Sequence, residues 1–227
     1  MNIKYLGHSA FFMEAGNYSA IIDPFITDNP QCTATVDDFN NLNHIFVTHG
    51  HGDHLGDAVE LAIKTNATII TNFELGNYLL FNNNNISVHT MHIGGSAVID
   101  GVFIKMTNAL HGSCVITTDQ EIIYAGNPCG FLINYDGIKI YHAGDTGLTL
   151  DMKLLEDEHV NAALLPIGGN FTMDIPDACK SVDFIKPDLA IPMHYNTFLP
   201  IKADPYKFQE SASCKVKVMD INQVITI

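Results

Sequence analysis

Hydrophobic and polar positions along the chain mark short strands separated by glycine and asparagine turns. Residues 2–6, 10–14 and 19–23 read as three strands joined by turns at Gly7 and Gly16-Asn17, an antiparallel start. A loop over 24–43 follows, rich in Pro, Asn and Asp, with a short helical piece near Val36. The run Asn43-His44-Ile45-Phe46-Val47-Thr48 predicts a buried strand, and Leu55 to Lys64 predicts a helix. Residues 67–71 form a strand and 73–81 a helix, with strands again at 86–90, 97–99 and 102–107. Beyond them come strands at 121–125, 130–135 and 138–143, the last two joined by a Tyr135-Asp136-Gly137 hairpin turn. The remainder alternates: helix 150–157, strand 162–166, helix 174–185, strand 189–192, helix 204–213, then strands 215–219 and 223–227. Each half therefore runs strands first and βα units afterwards. Two mixed sheets, each covered by helices on one face, predict an α/β protein, a four-layer αββα sandwich in a single domain over residues 1–227.

Between the 43–48 strand and its helix stands Thr48-His49-Gly50-His51-Gly52-Asp53-His54. Three imidazoles and a carboxylate in seven residues are strong ligands for borderline divalent metals. Their place at a strand-to-helix turn is where sites gather in α/β proteins. His49 and His51, two apart in an extended turn, converge on one ion, while Asp53 and His54 open the helix toward a neighbouring spot. Gly50 and Gly52 are expected to let the backbone turn sharply. Three further turns after apolar strands carry a ligand-type residue: His111, Asp145 in Gly144-Asp145-Thr146-Gly147, and His194. Singly each has an ordinary structural explanation; together with the motif they complete a ligand set for two ions.

Composition narrows the chemistry. At 227 residues, 47% hydrophobic and 16% charged, the chain has ample length for a core. A net charge of −14 disfavours a nucleic-acid partner, because polyanion binders cluster Lys and Arg. Cys32, Cys114, Cys129, Cys179 and Cys214 are odd in number and show no C-x-x-C spacing, which suits a reducing compartment. No signal peptide is recognisable at the start, and no apolar run reaches membrane-spanning length. The expectation is a cytoplasmic protein acting on a small molecule, without membrane or nucleic-acid partners, and with room for a homo-oligomer.

The order His-x-His-x-Asp-His, a single His, a Gly-Asp-Thr and a late single His resembles the metallo-β-lactamase superfamily. Ile22-Asp23-Pro24-Phe25 matches it too, and the resemblance covers essentially the whole chain. Leu6-Gly7-His8-Ser9, Gly126-Asn127-Pro128-Cys129-Gly130-Phe131 and His194-Tyr195-Asn196-Thr197 look like the short metal-dependent hydrolases of that superfamily, the branch that includes ascorbate-6-phosphate lactonase. The resemblance implies that His49, His51 and His111 hold one divalent ion and Asp53, His54 and His194 a second, with Asp145 bridging. Zinc suits such ligands, and manganese and iron accept them. Asp23 resembles the carboxylate that orients a ligand imidazole through its other ring nitrogen. His142 packs on its strand, and His44, His89, His92 and His159 are structural or exposed.

The implied activity is hydrolysis of an ester, lactone or similar bond by a hydroxide bridging the ions, with Asp53 as ligand and base. A phosphodiesterase acting on a nucleotide or phospholipid headgroup, and a non-catalytic metal-bound ligand sensor, are the alternatives. Loops 24–35 and 112–129 are the expected specificity elements, with His8, Asn29, Asn127 and Asn196 as candidate substrate contacts; His8 alternatively caps the turn after the first strand.

Overall fold

The computed structural model describes residues 1–227, and its contacts divide them into two compact units. The first comprises residues 1–92, 112–128 and 220–226; the second comprises residues 93–111, 129–219 and 227. No helix is long and apolar enough to cross a membrane.

The first unit is built on a seven-stranded mixed sheet. Strands β1 (Asn2–Gly7), β2 (Ala10–Ala15) and β3 (Tyr18–Ile22) form an antiparallel meander. From β3 the sheet continues in parallel through β4 (His44–Phe46), β5 (Thr68–Asn72) and β6 (Ser87–Met91). Ile45, Phe46 and Val47 are wholly buried, as a central parallel strand covered on both faces requires. Such a strand offers no outward polar face, so its carboxyl end is where polar chemistry emerges. The final strand, β16 (Val224–Thr226), closes the far edge against β1.

The helix expected over 55–64 is two helices, α1 (Gly52–Leu55) and α2 (Ala58–Thr65). The break has a clear cause. The Asp57 carboxylate accepts the backbone N–H groups of Ile26 and Thr27, both at 2.9 Å, and the Thr27 hydroxyl at 2.6 Å. Gly56, at φ +42°, lies so close to Pro24 that a Cβ would stand 2.3 Å from its carbonyl oxygen. Anchoring the 24–27 loop thus takes precedence over helix continuity. Past the break, α2 buries Ala58, Leu61 and Ala62 at helical spacing against a core that includes Leu6, Ile45, Val47 and Ile69. Helix α3 (Phe73–Asn82) starts on an Asn72 cap, whose side-chain oxygen accepts the Leu75 N–H at 2.9 Å.

A second seven-stranded mixed sheet builds the other unit. Strand β7 (Ser96–Ile99) pairs with β8 (Val102–Asn108), β8 with β11 (Cys129–Tyr135), and β11 with β12 (Ile138–His142), all antiparallel. Asp136 (φ +53°) and Gly137 (φ +83°) form the two-residue turn between β11 and β12. Strands β13 (Ala162–Pro166), β14 (Leu189–Met193) and β15 (Lys215–Val216) extend the sheet in parallel. Helices α4 (Ile175–Ile185) and α5 (Pro205–Ser211) supply the connections.

Three details depart from expectation. Residues Leu150–Glu158 form a 3₁₀ rather than an α-helix, with Met152 and Leu155 buried at a spacing of three, which matches its three-residue turn. Strand β15 stops at Val216 instead of 219. An additional strand, β9 (Cys114–Ile116), pairs with β10 (Ile122–Tyr124) as a separate two-stranded hairpin in the first unit.

Candidate metal centre

The first unit gathers Asp23, His49, His51, Asp53 and His54 after the carboxyl ends of β3 and β4, and His8 after β1. Asp23 is fully buried and its backbone adopts φ +44°. Its Oδ1 accepts the Thr48 N–H at 2.8 Å, and its Oδ2 accepts the Thr48 hydroxyl at 2.8 Å. The same Oδ2 stands 2.7 Å from Nδ1 of His54. An ionised carboxylate only accepts, so Nδ1 of His54 carries the proton and Nε2 the lone pair. Thr48 relays this order to the next imidazole. Its hydroxyl proton goes to Asp23, so its oxygen accepts from Nδ1 of His49 at 3.0 Å, and His49 too presents a basic Nε2.

That Nε2 lies 2.9 Å from Nδ1 of His51, with the two rings at 79°. Nitrogens this close share either a proton or a cation, and two ligands at roughly 2.0–2.1 Å from one ion stand about 3 Å apart. His8 is fully buried at φ +57°, with Nε2 3.3 Å from Oδ2 of Asp53, whose side chain is 30% exposed. Ligand atoms of His8, Asp53 and His54 lie within 4.8 Å of one another. The His8 carbonyl also accepts the Tyr5 hydroxyl at 3.1 Å.

The second unit brings the other three together. Asp145 follows β12 through Gly144 and is almost wholly buried. Its Oδ2 faces Nε2 of His194 at 2.9 Å and Nε2 of His111 at 3.6 Å. Nδ1 of His111 lies 3.1 Å from the Phe171 carbonyl, which accepts its proton and turns Nε2 toward Asp145. The Thr146 hydroxyl oxygen accepts the Leu110 N–H at 2.9 Å and steadies the His111 loop. His194 adopts φ +55°. His8, Asp23 and His194 are thus non-glycine residues in the left-handed region, which costs free energy.

These donors fit divalent metal ions: imidazole nitrogens and carboxylate oxygens suit zinc and its neighbours, and hydrogen bonds behind the rings fix their tautomers. His142 is buried and its Nδ1 accepts the Gly144 N–H at 3.1 Å. His44 is buried against the Tyr18 hydroxyl, His89 is half-buried, His92 stacks on Phe73, and His159 is exposed. No disulfide joins the five cysteines, and burial pushes the thiols of Cys32, Cys179 and Cys214 up, away from nucleophilic use.

The three asparagines each make a hydrogen bond within their own stretch of chain. Asn29 donates to the Phe25 carbonyl and accepts from Gln31 N–H, and Asn196 accepts from Ala203 N–H. Asn127 is exposed, and its side chain accepts the Tyr124 hydroxyl.

The expected turn role of Gly50 and Gly52 needs correction, because neither has a positive φ. Gly50 is required for close approach: a Cβ there would lie 2.8 Å from the Ala125 side chain and 2.9 Å from the Cys114 carbonyl oxygen. Around Gly52 there is open space. The contact at Gly50 exposes what sequence reasoning missed, that the β9–β10 hairpin is rooted on the motif. Gly50 N–H donates to the Ser113 hydroxyl (3.2 Å), which donates to the Ala125 carbonyl (3.0 Å). The Asn72 amide holds the Ala125 and Asn127 carbonyls at 2.9 and 3.1 Å. A pocket of about 410 Å³ opens beside His51 and Asp53, walled by Leu55, Val115 and Ile116.

Comparison with known proteins places the chain in a family. The family model described as a β-lactamase superfamily domain matches residues 2–194. A UPF0173 metal-dependent hydrolase of Alkaliphilus metalliredigens is 51% identical over 99% of both chains. Another from Carboxydothermus hydrogenoformans is 45% identical over the full length of both. Among solved structures, Igni18, a metallo hydrolase of Ignicoccus hospitalis, has a TM-score of 0.88 and 36% identity, covering 100% of this chain and 99% of its own. An isothiocyanate hydrolase from Delia radicum gut bacteria has a TM-score of 0.79 at 16% identity, covering 100% of this chain and 99% of its own, a likeness of fold alone. The α/β architecture with two mixed sheets is the fold of this group. The chain belongs to the β-lactamase superfamily and, within it, to the UPF0173 metal-dependent hydrolase family.

Proposed function

We propose that the protein hydrolyses an ester, lactone or similar bond of a small molecule with the help of two divalent ions, zinc foremost. His49, His51 and His111 would hold one ion and Asp53, His54 and His194 the other, with Asp145 shared. Bound there, the ions supply Lewis acidity and bring the pKa of water down to about 7.

The observation that carries the reading is the ordering of protons around the imidazoles. Asp23, Thr48 and the Phe171 carbonyl take the Nδ1 protons of His54, His49 and His111 and leave each Nε2 basic. Surface histidines need no such backing; ligand histidines do. Asp53 acts as the general base. It is the partly exposed carboxylate of the first unit's cluster, so its oxygen meets both solvent and substrate, and it takes the proton of the attacking water. His8, fully buried, fixes that carboxylate through Nε2. The active protein is expected to work in the cytoplasm.

Elemental analysis of the purified protein beside a substrate panel tests the reading. The panel holds p-nitrophenyl acetate, several lactones, a thioester and bis-p-nitrophenyl phosphate, run on the wild type, His111→Ala and Asp145→Ala. About two equivalents of metal, turnover of the ester or lactone, and loss of activity in both variants is the expected result. One equivalent or fewer, with no turnover after zinc, manganese or iron is added, overturns it; selective cleavage of the phosphodiester replaces it with the phosphodiesterase reading.

A further inference from the structure

Resting on the hydrolase reading above, we infer that the substrate presents an uncharged, apolar tail to the pocket beside His51 and Asp53, and that Ile116 selects for it. The walls that are not motif residues are Leu55, Val115 and Ile116, together with glycine backbone. At about 410 Å³ the space is that of a small-molecule site.

The non-motif side-chain walls of the pocket offer no basic group to an anionic tail. The chain contains no arginine; all 11 of its basic residues are lysines. Only Lys4 and Lys64 lie in the first unit, against twelve carboxylates. Lys64 donates to the Val36 carbonyl and the Asp37 carboxylate, and Lys4 sits within the sheet on β1. Neither lines the pocket. A carboxylate or phosphate entering between Leu55 and Ile116 would lose water and gain no counter-charge from these walls.

The hairpin explains how an apolar wall stays in place. A two-stranded ribbon is marginal by itself, and this one is pinned at its root through Ser113 and the Asn72 amide. Its cross-strand pairs alternate. Val115 pairs with Ile123 on one side, while Cys114–Tyr124 and Ile116–Ile122 pair on the other. Ile116, Ile122 and Tyr124 are 66%, 74% and 67% exposed. An apolar ladder left to solvent on a pinned hairpin, with one rung lining the pocket, is what an alkyl or aryl tail would cover.

Methyl NMR on the full-length protein, metal-stripped and zinc-supplemented, tests this without relying on turnover. Hexanamide is titrated against adipic acid monoamide, which has the same length but ends in a carboxylate. Shifts of the Leu55, Val115 and Ile116 methyls with hexanamide, at least tenfold weaker with the carboxylate, are expected. Ile116→Lys, an exposed position whose change leaves the remaining methyl spectrum intact, is expected to reverse the preference, whereas Ile116→Ala weakens hexanamide alone. Along p-nitrophenyl acetate, butyrate and hexanoate, kcat/KM rises by about threefold to fourfold per methylene. Absence of methyl shifts, tighter binding of the carboxylate, or a flat or falling acyl series each overturns the inference. If no substrate is turned over at all, the hydrolase reading fails while the methyl shifts still decide the pocket.

Discussion

Nδ1 of His54 lies 2.7 Å from Oδ2 of Asp23, and both side chains are completely buried. A buried carboxylate is costly unless every oxygen is engaged, and here Thr48 N–H, the Thr48 hydroxyl and the imidazole together engage both. The carboxylate therefore serves two ends, joining β3 to the motif turn and setting the face that His54 shows to a ligand.

Replacing Asp23 by Asn separates those ends. The amide oxygen still accepts Thr48 N–H, but its NH₂ meets Nδ1 of His54 and drives the proton to Nε2. Zinc affinity is expected to fall about 10- to 100-fold, read by chelator competition. Loss of charged hydrogen bonds costs about 1–3 kcal/mol, read by urea unfolding. Unchanged zinc affinity in a folded Asp23→Asn protein would sink the orienting role.

Gly50 and Gly52 make a paired test of neighbouring positions. Gly50→Ala drives a methyl into Ala125 and the Cys114 carbonyl, and about 1–3 kcal/mol of destabilisation is expected. Amide exchange of residues 113–125 should accelerate with it. Gly52→Ala meets open space, and its stability should stay within about 0.5 kcal/mol of wild type. Equal effects at both sites would show that backbone freedom, not close approach, governs the motif.

The pattern of the sequence reached far into this structure where chemistry is local. Ile45, Phe46 and Val47 announced a buried strand, and ligand-type residues at the ends of strands announced where each sheet would expose polar groups. What it did not reveal depends on contacts distant in sequence. Gly56 reads as an ordinary helix residue until Pro24 arrives beside it, and Asp57 reads as a surface charge until it holds Ile26 and Thr27. The β9 strand is three residues long, too short for any periodicity, and its order comes from Asn72 and Gly50, some 40 and 60 positions away. The 3₁₀ segment at 150–158 keeps an apolar spacing of three, which an α-helix also shares.

Asn72 carries a load that its place before α3 conceals. Asn72→Asp keeps the capping oxygen for Leu75 N–H and removes both donors to the Ala125 and Asn127 carbonyls. A carboxylate facing two carbonyls repels them, so a loss of about 2–3 kcal/mol is expected. Hydrogen exchange should show it concentrated in residues 113–127, with α3 still protected. Fraying of α3 instead would mean that the cap, not the hairpin root, is the main duty of this side chain.

Removing metal should weaken the fold by mass action. Each ion that binds only the folded state stabilises it by about 4 kcal/mol at a free concentration one thousand times its Kd. For a chain of 227 residues that corresponds to roughly 10 °C in Tm. Chelation of the zinc-supplemented protein is expected to lower Tm by this order, and zinc to restore it. His111→Ala supplies the control, since its ring is partly exposed. Its Tm without metal should lie within a few degrees of wild type, while the increment on adding zinc shrinks. The fixed tautomers of His49, His54 and His111 make sense as prepared ligands only if that increment exists. A Tm indifferent to chelator and zinc would leave the ordered protons serving the hydrogen-bond network alone.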